Sequence, residues 1–184
     1  DQDRYEVCNQ RYSALSDESH GFAVLNDSKY GISMTDNELQ LTLLRAPASP
    51  EMRADNGKHT FTYSLLAWDG GFLQSPAVDE AYDLNVPPVT AAGACKTFSA
   101  FSVSAPNVYI DTVKPAEDGS GDLILRLYEA KNADTDCRVY LNLPFGKAWE
   151  TDLLENRREE LAISGGAVAL HFHNFEVRTI RLTQ

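Results

Sequence analysis

Gly165-Gly166-Ala167-Val168-Ala169-Leu170-His171-Phe172, followed after three residues by Glu176-Val177-Arg178-Thr179-Ile180-Arg181-Leu182, is a paired glycine turn feeding a short apolar run and then a second run in which Val177, Thr179 and Arg181 alternate with Arg178, Ile180 and Leu182. Side chains alternate across a strand with period two, so both runs read as β-strands rather than helix turns. The same grammar recurs upstream. Phe22-Ala23-Val24-Leu25 is a short apolar run, Glu38–Leu43 alternates cleanly, and His59–Tyr63 sets Phe61 against Thr60 and Thr62. Phe98–Phe101, Val108–Ile110, Leu123–Tyr128 and Arg138–Leu141 follow, with turn signals at Asp36-Asn37 and Asp118-Gly119-Ser120-Gly121. Many short strands separated by regular turns predict an all-β chain of antiparallel sheets packed as sandwiches.

Two stretches resist this grammar. Asp152–Leu161 places Leu153, Leu154 and Leu161 among charges, a pattern that a short helix also satisfies. Asn85-Val86-Pro87-Pro88-Val89 runs on into small residues; consecutive prolines remove two backbone donors, which predicts a linker. The chain is therefore divided into residues 1–84, a linker at 85–96 and residues 97–184.

The 184 residues are 43% hydrophobic, ordinary for a folded chain, and can bury a real core. The net charge of −11 repels polyanions and no Lys/Arg cluster offsets it, so nucleic acid is excluded as a partner. A neutral sugar is indifferent to that field. No apolar stretch is long enough to span a membrane. Cys8, Cys95 and Cys137 are too few and too scattered for a disulfide framework; they point to a reducing, cytoplasmic setting, with one bridge and one free thiol as the other arrangement. Asp1 in place of an initiator Met suggests a piece of something longer.

Glycoside hydrolysis needs two carboxyl groups across the scissile bond. The acidic pairs Glu117-Asp118, Asp134 with Asp136, and Glu159-Glu160 all sit in polar surroundings and read as ionised turns and surface. His171 and His173 point to one face of a strand and, with a carboxylate from elsewhere in the chain, could hold one metal; an ordinary strand surface is the competing reading, and no metal site is assigned. There is neither a Gly-x-Ser-x-Gly elbow nor a phosphate loop. Trp68, beside Asp69-Gly70-Gly71, is either a sugar-stacking platform or core packing. Asn26-Asp27-Ser28-Lys29-Tyr30-Gly31 is a polar loop at a strand end. It reads either as a self-capped turn with Lys29 paired to Asp27 or as a loop presented at a cleft. Arg45, alone after Leu43-Leu44, is an ion-pair partner or a second cleft contact.

That polar loop, with Leu43-Leu44-Arg45-Ala46-Pro47, Gly57–Leu65, Ala148–Asn156 and Phe175-Glu176-Val177-Arg178-Thr179-Ile180-Arg181-Leu182 in this order, resembles the C-terminal β-domains of family 38 glycoside hydrolases, the zinc-dependent α-mannosidases, in their bacterial and cytosolic-type branch. The resemblance implies that Arg4 to Leu84 is the distal part of a β-supersandwich of the galactose-mutarotase-like kind. It implies that Phe98 to Leu182 is a small terminal β-sandwich, with Asp152–Leu161 extended. It also implies that the nucleophilic Asp and the zinc ligands belong to an N-terminal α/β barrel outside this chain. No catalytic residue, metal ligand or cofactor is then expected here, and the partner is that catalytic domain of the same polypeptide. Asn26, Asp27, Lys29, Tyr30 and Arg45 are the residues expected to close its α-mannoside site, and Trp68 is the candidate platform. A sandwich lacking its first strands would leave an edge or apolar face bare, which a homo-oligomer could cover. The alternative is a free-standing carbohydrate-binding or interaction module.

Overall fold

A computed structural model describes residues 6–184, so Arg4 and Tyr5 of the expected first segment lie outside the described residues. The chain divides between Ala92 and Gly93 into two compact units whose sheets are all antiparallel.

The first unit holds two three-stranded sheets. One orders β1 (Val7–Cys8), β4 (Gly31–Thr35) and β5 (Glu38–Thr42); the other orders β2 (Tyr12–Ser16), β3 (His20–Asn26) and β6 (Tyr63–Asp69). The β4–β5 hairpin turns at Asp36, whose φ of +51° is a conformation that Asp tolerates. The third strand of the second sheet departs from expectation. The alternating His59–Thr62 is irregular, and the strand starts at Tyr63 and runs to Asp69, taking Trp68 inward.

The second departure is a helix, α1 (Ala77–Asn85). Its buried face is Ala77, Val78 and Ala81, at helical spacing but made mostly of Ala, which contributes little apolar signal. Ser75 accepts the Ala77 N–H at 2.9 Å, and Asp79 and Glu80 in the first turn face the positive end of the helix dipole. Asn85 ends it by donating to Ala81 O (2.8 Å) and to Asn26 O on β3 (3.0 Å). The helix covers one face of the β2–β3–β6 sheet, enclosing Ala23, Leu25 and Trp68 with Ala77 and Ala81. Gly21 makes this possible: a Cβ there would stand 2.0 Å from the Trp68 ring.

The second unit is a sandwich. One sheet orders β13 (Ile163–Ser164), β14 (Ala167–Phe172), β10 (Thr135–Leu141) and β7 (Phe101–Val103). The other orders β12 (Arg157–Leu161), β11 (Lys147–Thr151), β15 (Val177–Thr183), β9 (Leu123–Glu129) and β8 (Val108–Pro115). The inward residues of both, among them Leu125, Leu127, Val139, Val168, Phe172, Ile180 and Leu182, form one core. Gly165 and Gly166, both with positive φ, close the two-residue β13–β14 hairpin as a primed turn requires. Asp152 settles its segment by accepting the N–H groups of Leu154 (2.9 Å) and Asn156 (3.0 Å), a local turn that competes with helix and releases the chain into extended β12.

Candidate functional site

The loop after β3 is built mainly to hold itself. Asn26 is fully buried, so it is a structural residue and not a surface contact. Its Oδ1 accepts the Lys29 N–H at 2.9 Å and its own N–H reaches Arg11 O at 2.8 Å. Asp27 accepts the Thr62 N–H (2.9 Å) and the Ser28 hydroxyl (2.7 Å), and these bonds, Thr62's foremost, hold its carboxyl below the usual range. Lys29 does not pair with Asp27; its ammonium lies over the Phe61 ring at 4.5 Å. Tyr30 is exposed and gives its carbonyl to Asn9 N–H. Lys29 and Tyr30 thus keep reach toward an outside ligand, while Asn26 and Asp27 have committed their oxygens.

Arg45 lies elsewhere. It lines an open depression of about 370 Å³ with Glu6, Ser33 and Gln40 on the β4–β5 pair, and none of Asn26, Asp27, Lys29 and Tyr30 lines that depression. Trp68 is a correction to the platform reading. It is only 9% exposed, donates Nε1–H to Gly71 O at 3.3 Å and packs near Phe72, so neither ring face is open to a sugar.

What sequence reading missed is the other face of that same sheet. Opposite the helix-covered side, β3 and β6 carry Phe22, Val24, Tyr63 and Leu65; Val24 is buried, while Phe22, Tyr63 and Leu65 (65% exposed) stand in solvent. The alternation of Phe22 with Ala23 and Val24 with Leu25 carried the signal, since apolar residues fall on both sides of β3.

Six acidic residues of the second unit are held by internal partners. Arg181, nearly buried, donates to Asp122 (2.6 Å) and Asp118 (2.7 Å). The Ser120 and Arg181 bonds hold the Asp118 carboxyl well below its ordinary range. Lys114 bridges Glu117 and Glu155, each at 2.6 Å, and Arg178 pairs with Glu150. Buried Glu129 accepts from Asn107 Nδ2 and the backbone N–H groups of Lys131, Asn132 and Phe175. Burial pushes its carboxyl up, but those bonds outweigh burial and leave it lowered. No two of these partnered carboxylates stand free across a cleft as an acid–base pair requires. On the outer face of the β10–β14 pair, Asp134, His171 and His173 converge.

Two antiparallel β units, with apolar side chains exposed on one sheet of the first and a paired-charge network in the second, define a β-domain region. The family comparisons agree. Glycosyl hydrolases family 38 C-terminal domain matches residues 1–53, and Glycosyl hydrolases family 38 C-terminal beta sandwich domain matches residues 107–180. Alpha-mannosidase 2C1 of Mus musculus is 41% identical and that of Homo sapiens 40%, each across 97% of this chain. The chain spans only 18% of the length of those relatives. A solved family 38 glycosyl hydrolase from Enterococcus faecalis shares the fold with a TM-score of 0.72 at 21% identity, over 98% of this chain and 23% of that one. The chain belongs to the C-terminal region of the family 38 glycosyl hydrolases.

Proposed function

We propose that this chain is the non-catalytic β-domain region of a retaining α-mannosidase, packed on an upstream catalytic domain whose sugar site it helps to close. The first unit then corresponds to the distal part of a supersandwich and the second to the terminal sandwich. The observation that carries the reading is the uncovered Phe22–Tyr63–Leu65 face, apolar surface that a finished domain would bury. The zinc expected of such an enzyme belongs to the upstream domain; the Asp134–His171–His173 group lies exposed on an open strand face, not in a cleft that could enclose a sugar, and does not fit that catalytic role. Lys29 and Tyr30 are the residues of the loop that remain available to border the α-mannoside. Cys8, Cys95 and Cys137 are all free thiols, which supports a cytoplasmic setting. Among the described residues no helix is long and apolar enough to cross a membrane.

The test has two arms. The 184-residue chain should release nothing from an aryl α-mannoside, with or without zinc; turnover sensitive to substitutions in this chain would refute the reading. In the polypeptide that also carries the catalytic domain, Lys29→Ala or Tyr30→Ala should lower kcat/KM by about tenfold, roughly 1.4 kcal/mol of transition-state stabilisation, while exposed Lys58→Ala leaves it unchanged. Equal effects of the three would remove the loop from the site.

A further inference from the structure

The outer face of the β10–β14 pair carries two histidines and two aspartates in register. Asp136 stands directly across from His171 in the antiparallel ladder. Side chains two residues apart in a strand share a face, so Asp134 and His173 stand on the same side, one step further along. The contacts follow the register: His171 Nδ1 lies 2.9 Å from Asp136 Oδ1, and His173 Nδ1 lies 3.0 Å from Asp134 Oδ1. The two imidazoles meet edge to face with centroids 5.1 Å apart. One ligand atom from each of Asp134, His171 and His173 lies within 4.8 Å of the others.

We propose that Asp134, His171 and His173 bind a divalent transition-metal ion of borderline softness, with zinc the representative, and that Asp136 orients the His171 ring for it. Two imidazole nitrogens and a carboxylate oxygen are the donor set such ions prefer. The spacing suits it. Ligand atoms about 2.0–2.2 Å from a tetrahedral ion stand roughly 3.3 Å apart, close to the His173–Asp134 separation, so the ion takes the place of the shared proton. His171 completes three ligands by a small side-chain rotation, which half-exposed residues make freely. Water fills the fourth position. A carboxylate on the second ring nitrogen of a ligating histidine fixes the ring and raises its basicity, and Asp136 is placed to do this for His171. The surroundings favour a cation. Glu176 accepts the His173 N–H at 2.8 Å. Arg178, whose guanidinium donates to His171 O, is neutralised by Glu150. Arg138, two residues from Asp136 on the same face of β10, opposes a cation, and the carboxylates of Asp134, Asp136 and Glu176 outweigh that single charge.

The geometry also assigns a consequence. His171 and His173 bracket the end of β14, and Asp134 lies in the turn that enters β10. One ion therefore clips a strand end to a turn 37 residues earlier in the chain (His171 minus Asp134). Next to it, Asn174 Nδ2 already donates to Asn132 Oδ1 at 2.8 Å, joining the same two segments.

The experiment is a zinc titration of the 184-residue chain carrying Cys8→Ser and Cys95→Ser, which removes the two exposed thiols as competing ligands. Competition against a chromophoric chelator reads stoichiometry and affinity, and cobalt substitution reads coordination number through its visible absorption. One equivalent is expected, with four-coordinate cobalt absorption and a melting temperature that rises with zinc. His171→Gln and His173→Gln should each weaken binding by at least tenfold, and Asp136→Asn by roughly tenfold. His20→Gln should leave it unchanged. The metal-free melting temperatures of these surface variants should match the parent, so that lost binding is not lost folding. No zinc uptake at millimolar metal, or uptake indifferent to His171→Gln and His173→Gln, would overturn the proposal.

Discussion

At the scale of single residues, Glu129 shows how a buried charge is made tolerable. It is 1% exposed and its two oxygens accept from Asn107 Nδ2 and from backbone N–H groups around the turns at Lys131 and Phe175. A buried carboxylate without such donors would protonate or unfold its surroundings. The consequence for pH follows from the direction of its shift. The folded carboxyl titrates below its ordinary value of 4.5. Its contribution is therefore complete above that value and is lost as pH falls through the lower folded value. Glu129→Gln keeps the shape but loses charge-assisted bonds, and should cost about 2 kcal/mol at neutral pH. Urea unfolding of the two proteins, followed from neutral pH down to about pH 3, checks this: the midpoints should converge as acid removes the advantage of the parent. A constant gap would mean that Glu129 acts through packing alone.

At the scale of elements, Gly21 and Trp68 form a unit across β3 and β6. The indole occupies the space where any β-carbon at position 21 would lie, so Gly21→Ala must expel the ring or bend the strand. Overpacking of this kind costs about 1–3 kcal/mol. The expected result is a lower melting temperature with a red-shifted tryptophan emission, and an unchanged spectrum would show that the ring has room to move. This pair also shows what was legible in the sequence. The central strands β9, β10, β14 and β15 announced themselves because one or both of their faces are buried, and burial leaves an apolar pattern. Edge strand β12 is Arg-Arg-Glu-Glu-Leu, charged nearly throughout, which guards an edge but erases the pattern. Helix α1 was missed because its buried face is small. Trp68 was left between platform and core packing because nothing local to it says which face of β6 the helix α1 covers. At the candidate metal face, the shared side of His171 and His173 followed from period two. Asp134 did not, because register between β10 and β14 is set by packing rather than by any local signal. In the loop after β3, residue types foretold a capped turn, but only the packing of Asn85 and Arg11 against Asn26 shows that this residue is sealed inside.

At the scale of the molecule, the β2–β3–β6 sheet is only partly covered on the side away from α1, where Ser13, Val24 and Asn26 are buried but their apolar neighbours are not. Helix α1 covers Ala23, Leu25 and Trp68, whereas Phe22, Tyr63 and Leu65 remain in water on the other side. On the function proposed above, a catalytic domain would cover that face; in the chain alone a second copy offers the same chemistry. The apolar cost is the same in both cases, so a single substitution reads both. Leu65→Ser removes about 2 kcal/mol of burial from whichever contact forms, roughly thirtyfold in its dissociation constant. Sedimentation equilibrium of the chain alone should show a concentration-dependent association that Leu65→Ser shifts toward monomer. Binding of the separately produced upstream polypeptide should weaken by a similar factor. Solvent-exposed Lys58→Ala should alter neither. If Leu65→Ser changed neither equilibrium, the face would be ordinary surface and the packing of this region on a catalytic domain would have to run through other residues.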